Sequence, residues 1–287
     1  MAEIRIIQRR IRSITSTAKI TKAMEMIATS KMRRAQERAL AGRPYAEKMR
    51  QVLAHLASQI GEGQASLYPL LEKRPVQKIA VLHITADRGL CGGLNANVNR
   101  SAASFLLEQT APSVMILVGR KGRDFMLRHR REIRADFTGI SDRPTVMDTL
   151  PISHILIEDY ENKLVDEIYL SYTRFVSTVV QKPVLERLLP IELQQGDQSQ
   201  HAIDYIYEPS SEAVLDELLP RFVEMQVYHS LLEAIASEQS ARRVAMRNAT
   251  DNANELVQDL TLMYNKARQE GITKELLDIT GGVEAAA

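Results

Sequence analysis

Apolar residues recur at alternating spacings of three and four at both ends of this chain, and a segment of different character separates the two runs. The first begins Ile4, Ile7, Ile11, Ile14, Ala18, Thr21, Glu25, Ala28 and continues in phase through Leu53, Leu56 and Ile60. The second runs from Leu215 through Leu232, Ala236, Met246, Thr250, Ala253, Val257 and Leu260 to Ala267. Such a repeat is the seam of a coiled coil, in which the a and d positions of a heptad face a partner helix. At 1.5 Å per residue the first helix is roughly 85 Å long if unbroken. Helices of this kind gain most of their stability from packing, so each run needs a partner, and the simplest one is the other.

Charge supports that pairing. Residues 1–60 carry 13 Lys or Arg against 4 Asp or Glu, whereas residues 210–287 carry 7 against 13. A basic helix and an acidic one attract, although each exposed ion pair contributes only a few tenths of a kcal/mol. In an antiparallel pair, facing residue numbers sum to a near constant. Setting the foot of the first helix near Leu56 against the start of the second near Glu212 gives about 268. That register places Glu25 opposite Arg243, a polar pair in the seam suited to fixing alignment. It also leaves residues beyond 268 unopposed, so Ile272, Leu276, Leu277 and Ile279 form an apolar tip to be housed elsewhere. Gly42-Arg43-Pro44 predicts a kink, because Pro44 removes a hydrogen bond to the preceding turn. Gly61, Gly63 and Pro69 end the helix.

Composition excludes several classes. With 45% hydrophobic and 25% charged residues, the chain reads as ordinary soluble protein. The single cysteine, Cys91, excludes an intramolecular disulfide and fits a reducing compartment. Apolar stretches reach only the Val114–Val118 kind, far short of a membrane span. The Arg-rich, hydroxyl-rich start looks like a cleavable targeting peptide, but the heptad register already begins at Ile4, so the expectation is mature structure and a bacterial source. Nucleic-acid binding by the basic helix is disfavoured, since the acidic helix cancels its field and no aromatic residues are interleaved.

Between the coils the pattern becomes α/β. Lys78–Thr85, Ser113–Gly119 and Glu167–Phe175 read as strands. Asn95–Leu107, Gly122–His129 and Thr145–Leu164, the last capped by Asp142 and Pro144, read as helices. Alternation of this sort implies a mostly parallel sheet, and a hairpin is expected from Ser177–Leu189 and Ala202–Glu208. The fold class is therefore a long antiparallel coiled coil joined to a central Rossmann-like α/β domain. Its parts are residues 1–60, 75–208 and 210–282, with 283–287 a tail expected to be disordered.

Chemistry is sparse. The loop Asp87-Arg88-Gly89-Leu90-Cys91-Gly92-Gly93-Leu94-Asn95 leads into a helix, where a phosphate would sit, but its glycines do not match G-x-G-x-x-G. Gly119-Arg120-Lys121-Gly122-Arg123 likewise lacks the P-loop spacing and terminal Lys-Ser/Thr. A tight backbone turn is the preferred reading. The six histidines lack metal-ligand spacing, and Cys91 has no activating neighbour beyond Arg88. No catalytic, metal or cofactor site is expected.

Four segments carry a family resemblance. Ile20-Thr21-Lys22-Ala23-Met24-Glu25-Met26-Ile27-Ala28-Thr29-Ser30-Lys31-Met32, the Asp87–Asn95 loop, Ser237-Glu238-Gln239-Ser240-Ala241-Arg242, and Ile272-Thr273-Lys274-Glu275-Leu276-Leu277-Asp278-Ile279-Thr280-Gly281-Gly282 resemble, in the same order, the gamma subunit of F-type ATP synthases. The resemblance implies a rotor whose coil lies inside an alpha/beta hexamer and whose α/β domain is the foot on the epsilon subunit and the membrane c-subunit ring. It further implies no active site or cofactor, no nucleic acid, and a peripheral place on the cytoplasmic side of a bacterial inner membrane. By resemblance, Lys19, Lys22, Met24, Lys31, Arg268 and Gln269 face the beta subunits, and Glu25, Arg242 and Arg243 belong to the shaft. Arg88, Gly89, Cys91, Gly92, Gly93, Tyr205, Tyr207 and Glu208 then lie on the foot. Chloroplast members carry a regulatory cysteine pair, which this chain cannot form. Alanine usually follows the second closing glycine, where Val283 stands here. Two other classes remain open: an α/β enzyme with helical arms, which would bind a nucleotide, and a nucleic-acid adaptor, whose binding would depend steeply on salt.

Overall fold

The computed structural model describes residues 2–59, 68–192, 207–208 and 210–286. They form two compact units, one of Met1–Thr29 with Arg242–Ala287 and the other of Ser30–Ala241.

In the larger unit a five-stranded sheet has the order β3-β2-β1-β4-β5, from β1 (Ile79–Ile84), β2 (Ser113–Val118), β3 (Glu132–Phe137), β4 (Glu167–Phe175) and β5 (Gln181–Leu189). The pairs β1–β2, β1–β4 and β2–β3 are parallel, and β4–β5 is antiparallel. Strand β1 is buried at every position, as a central parallel strand covered on both faces must be. One face packs Val81, Met115 and Leu117 beneath α2 (Leu94–Glu108) and α3 (Arg120–Arg128) through Ala102, Leu106 and Met126. The other packs Ala80, Leu82, Val114 and Ile116 against Ile152, Leu156 and Tyr160 of α4 (Val146–Glu161). Leu53 and Leu56 of α1 (Ala2–Gln59) join that second core, as do Leu215, Leu219, Val223, Val227, Leu231 and Ile235 of α5 (Ser211–Ala286).

Helix α1 runs through Gly42 and Pro44 as one element, as the in-phase heptad seam predicts. A Cβ on Gly42 would lie 2.7 Å from Cε1 of His229 of α5. Several other expectations change. Strand β3 was not anticipated: its alternation of exposed Glu132, Arg134 and Asp136 with half-buried Ile133, Ala135 and Phe137 is that of an edge strand, and its charges mask the short apolar pattern. The hairpin is β4–β5, closed where Val176 and Ser177 donate their backbone N–H to the Val180 carbonyl; Ala202–Ile206 lie outside the described residues, and Tyr207 and Glu208 are not in a strand. Thr145, not Asp142, caps α4, in a capping box whose Asp148 carboxylate accepts from the Thr145 N–H at 2.7 Å. That bond and a second one, from the Thr145 hydroxyl at 2.9 Å, hold the Asp148 carboxyl below its usual pKa. Helix α5 continues past Gly282 to Ala286, the closing Glu-Ala-Ala-Ala sequence being strongly helix-forming.

The fully buried stripe on α5 between Leu215 and Leu231 repeats every four residues, whereas the heptad positions Leu218, Phe222, Met225 and His229 are only half-buried. This stretch serves two neighbours, the sheet and α1, and a single-seam reading sees only one of them.

Candidate functional site

In a doubly wound sheet, ligands bind at the carboxyl ends of the strands where the order reverses, here between β1 and β4. That crevice is bounded by Ile84, Thr85, Leu94, Val98 and Thr173, and Leu231, Ala234 and Ile235 of α5 fill it. About 20 Å³ remains, room for a water and nothing larger. The neighbouring helix N-terminus is satisfied from within the chain. The Asp87 carboxylate accepts from the backbone N–H of Arg120, first residue of α3, at 2.9 Å, and from that of Gly139 at 2.8 Å. A carboxylate there does what a bound phosphate does elsewhere.

The glycines that this architecture requires are Gly119 and Gly122. At φ +92° Gly119 lies against β1 so closely that a Cβ would stand 2.0 Å from the Thr85 carbonyl oxygen, and one on Gly122 would meet Thr85 Oγ1 at 2.8 Å. In the loop singled out from sequence, Arg88, Leu90, Gly92 and Gly93 are exposed and Gly89 is half-buried, with nothing near its missing Cβ. Cys91 is buried, its sulfur accepting from Asn95 Nδ2 at 3.2 Å, so it is removed from the contact surface assigned to it. His83 is also fully enclosed, between Ser171 Oγ at 2.9 Å and Asn99 Oδ1 at 2.8 Å. Burial drives its pKa down to about 4, against the upward pull of the Asn99 hydrogen bond.

A cleft of about 580 Å³ opens between α1, α5 and the β4–β5 hairpin. Part of its charged lining is paired within the chain: Arg174 bonds Glu186, lies 3.8 Å from Glu233, and donates to the Tyr172 hydroxyl at 3.1 Å. Among the described residues no three His, Cys, Asp or Glu side chains converge as a metal set.

The smaller unit consists of the paired ends of α1 and α5. Ala18, Thr21 and Ala28 face Met246, Thr250, Ala253 and Leu260 as a buried seam. Its register differs by three from the expected one. The hydroxyls of Thr21 and Thr250 meet at 2.7 Å, so facing numbers sum to 271 and Glu25 falls opposite Met246. The Glu25 carboxylate pairs instead with Lys22 at 2.9 Å, along its own helix. Arg242 is buried and Arg243 half-buried. The two helices still meet at Gly271, where a Cβ would lie 3.7 Å from Ile4 Cδ1, so the unopposed tip is shorter than expected. Ile272, Leu276 and Leu277 are exposed, and the side chain of Ile279 lies outside the described residues.

Of the residues assigned to a beta-facing surface, Lys19, Lys22, Arg268 and Gln269 are exposed and Met24 is half-buried beside the seam. Lys31 belongs to the other unit, where it pairs with Asp142 at 2.5 Å. Of the residues assigned to a foot, Glu208 is exposed and Tyr207 is half-buried, stacked on His55 with ring centroids 6.3 Å apart, while Tyr205 lies outside the described residues. Sequence reasoning overlooked Ile6, Ile20 and Ile27, which are more than half exposed and share one outward face of α1. Leu256 and Met263 repeat the pattern on α5. Their spacing in multiples of seven, off the seam, was the available signal.

The chain is thus of a class with an α/β domain whose ligand crevice is closed by its own helix, together with a separate coil made from both chain ends and carrying apolar residues on its outer surface. Comparison with known proteins agrees. A family model described as ATP synthase matches residues 3–286. An ATP synthase gamma chain of Dehalococcoides mccartyi is 60% identical over the whole of both chains, and one of Herpetosiphon aurantiacus is 48% identical over 99% of each. Among solved structures, a chain of the Euglena gracilis mitochondrial ATP synthase OSCP/F1/c-ring assembly superposes with a TM-score of 0.69 at 21% identity, covering 99% of this chain and 94% of that one. A chain of the central stalk and c-ring of the Tetrahymena thermophila enzyme gives 0.62 at 24% identity, covering 80% and 99%. These structures share the fold. The chain belongs to the ATP synthase gamma chain family.

Proposed function

We propose that this chain is the rotor of an F-type ATP synthase, coupling proton or sodium flow through a membrane c-subunit ring to ATP synthesis and hydrolysis in an alpha/beta hexamer. It has no active site of its own. The observation that carries this reading is the coil of the smaller unit: a seam buried at Ala18, Thr21, Ala28, Met246, Thr250, Ala253 and Leu260 stiffens it, and exposed apolar positions at Ile6, Ile20, Ile27, Leu256 and Met263 suit it to a close-fitting socket. Lys19, Lys22, Met24, Arg268 and Gln269 face the beta subunits, and Ile272, Leu276, Leu277 and Ile279 reach the bearing at the far end of the hexamer. Arg88, Gly89, Gly92, Gly93, Tyr205, Tyr207 and Glu208 form the foot against epsilon and the ring. No helix of the described residues is long and apolar enough to cross a membrane, which fits peripheral attachment through the ring on the cytoplasmic side of a bacterial inner membrane. Mixing the chain with cognate alpha and beta subunits tests the reading: one copy should co-purify with each hexamer and raise ATP hydrolysis, and failure to co-purify overturns it.

A further inference from the structure

The segment Ser237–Ser240 is buried although it is almost wholly polar: Ser237 and Ser240 have no exposed surface and Gln239 has 2%. Serines inside helices ordinarily donate to a carbonyl of their own preceding turn. Ser230 does so on this helix, bonding the Gln226 carbonyl at 2.8 Å. Ser237 and Ser240 instead turn to the sheet domain. Ser237 donates to the Thr173 carbonyl in β4 at 2.9 Å, and Ser240 to the Thr178 carbonyl in the β4–β5 turn at 2.8 Å. Gln181 Nε2 returns a bond to Ser240 Oγ at 3.4 Å. Gln239 reaches Asp142 Oδ1 at 3.5 Å, and the other oxygen of that carboxylate holds Lys31 of α1.

Positions 237 and 239 are separated by about 200° around the helix, so these bonds grip α5 from nearly opposite sides. Apolar packing, such as that of Ala234 and Ile235 one turn earlier, resists separation of a helix from a sheet but is not directional. Hydrogen bonds are directional, and bonds placed off the axis on opposing sides oppose rotation of the helix about itself. We propose that Ser237, Gln239 and Ser240 are a torsional anchor, the positioning residues that lock α5 in azimuth to the α/β domain so that torque on the domain is delivered to the helix without slip. This rests on the rotor reading.

The test uses the complete complex in vesicles, measuring ATP hydrolysis and ion pumping together for the double variant Ser237→Ala with Ser240→Ala. The variant should assemble and hydrolyse ATP, and should lose ion pumping per ATP hydrolysed. Ser230→Ala makes the same chemical change on the same helix at a back-bonded serine, and should pump as the wild type does. Unchanged pumping by the double variant, or an equal loss with Ser230→Ala, overturns the anchor. If the double variant does not assemble, Gln181→Ala, which removes one anchoring bond from the hairpin side, should show a smaller loss in the same direction, and unchanged pumping there overturns the proposal. Failure of the wild-type chain itself to assemble would instead remove the rotor reading.

Discussion

Replacing Thr21 and Thr250 by valine, singly and together, tests how the paired hydroxyls of the coil seam are satisfied. The two hydroxyls are 2.7 Å apart, and each also lies near a carbonyl of its own helix, Ala18 O at 3.1 Å for Thr21 and Met246 O at 2.8 Å for Thr250. A hydroxyl carries one proton, so only one of the pair donates across the seam while the other donates to its own helix. The shorter back-bond assigns that second part to Thr250. After either single substitution the surviving hydroxyl still has a carbonyl within reach, so no buried group is orphaned; the loss is one net hydrogen bond, about 1 kcal/mol, set against one buried methyl group gained, about 0.8 kcal/mol. The double variant loses both hydrogen bonds, about 2 kcal/mol, against two such methyl groups, so its change should be the sum of the single changes. Amide hydrogen exchange in Ala18–Glu25 is the assay, because a coil of this kind opens without unfolding the rest of the chain. The expected coupling between the two positions is therefore near zero, within about 0.3 kcal/mol. A coupling of about 1 kcal/mol or more would refute the back-bonded arrangement, because it would mean that a single substitution leaves the surviving hydroxyl buried without a partner.

Gly119→Ala forces a Cβ to within 2.0 Å of the Thr85 carbonyl at φ +92°, and should cost more than about 4 kcal/mol, whereas Gly89→Ala, with nothing near, should be close to neutral; urea midpoints of the two variants check both. His83 gives the chain an acid-side weakness: between its unfolded pKa of 6.5 and its folded value of about 4, the unfolded imidazole takes up a proton that the folded one refuses. Stability should therefore fall as pH drops through that window, by about 3 kcal/mol below both values, and a His83→Gln curve that runs parallel to the wild type would refute it. Met24→Lys, at a half-buried position beside the seam, should impair coupling of hydrolysis to pumping more than it impairs assembly with alpha and beta, and normal coupling would remove Met24 from the beta-facing surface.

Residues whose partner is fixed by periodicity were legible in the sequence. Ala18, Thr21, Ala28, Met246, Thr250 and Leu260 are buried where a heptad count places them, and the central strands β1, β2 and β4 appear as apolar runs within a residue or two of their observed bounds. What periodicity cannot supply is the pairing of one element with a particular other. The register constant drawn from helix ends missed by three, because it is set by a polar contact between positions 229 residues apart. Lys31, which the resemblance assigns to the beta-facing surface, pairs with Asp142, 111 residues away. Strand β3 was invisible because its outward charges outweigh three inward apolar residues.

The glycine-rich loop shows the same limit from the other side. Sequence directs attention to Gly89, Gly92 and Gly93, yet the close approach that only glycine permits is at Gly119 and Gly122, across the crevice. In a nucleotide-binding relative of this architecture such glycines would bring backbone toward a phosphate. Here Gly119 brings β2 and α3 onto Thr85, Asp87 neutralises the exposed end of α3, and α5 takes the space that remains. A ligand crevice filled by the chain's own helix is a joint, and Leu231, Ala234 and Ile235 occupy it immediately before the serines that bond the sheet. Apolar filling thus sets how far α5 sits from the domain, while Ser237 and Ser240 set how it is turned. Filling the crevice and hydrogen-bonding the helix are separable functions, so Ala234→Gly should loosen the domain without uncoupling it, whereas the serine substitutions should do the reverse; equal loss of pumping from both would mean that filling and turning are one function and not two.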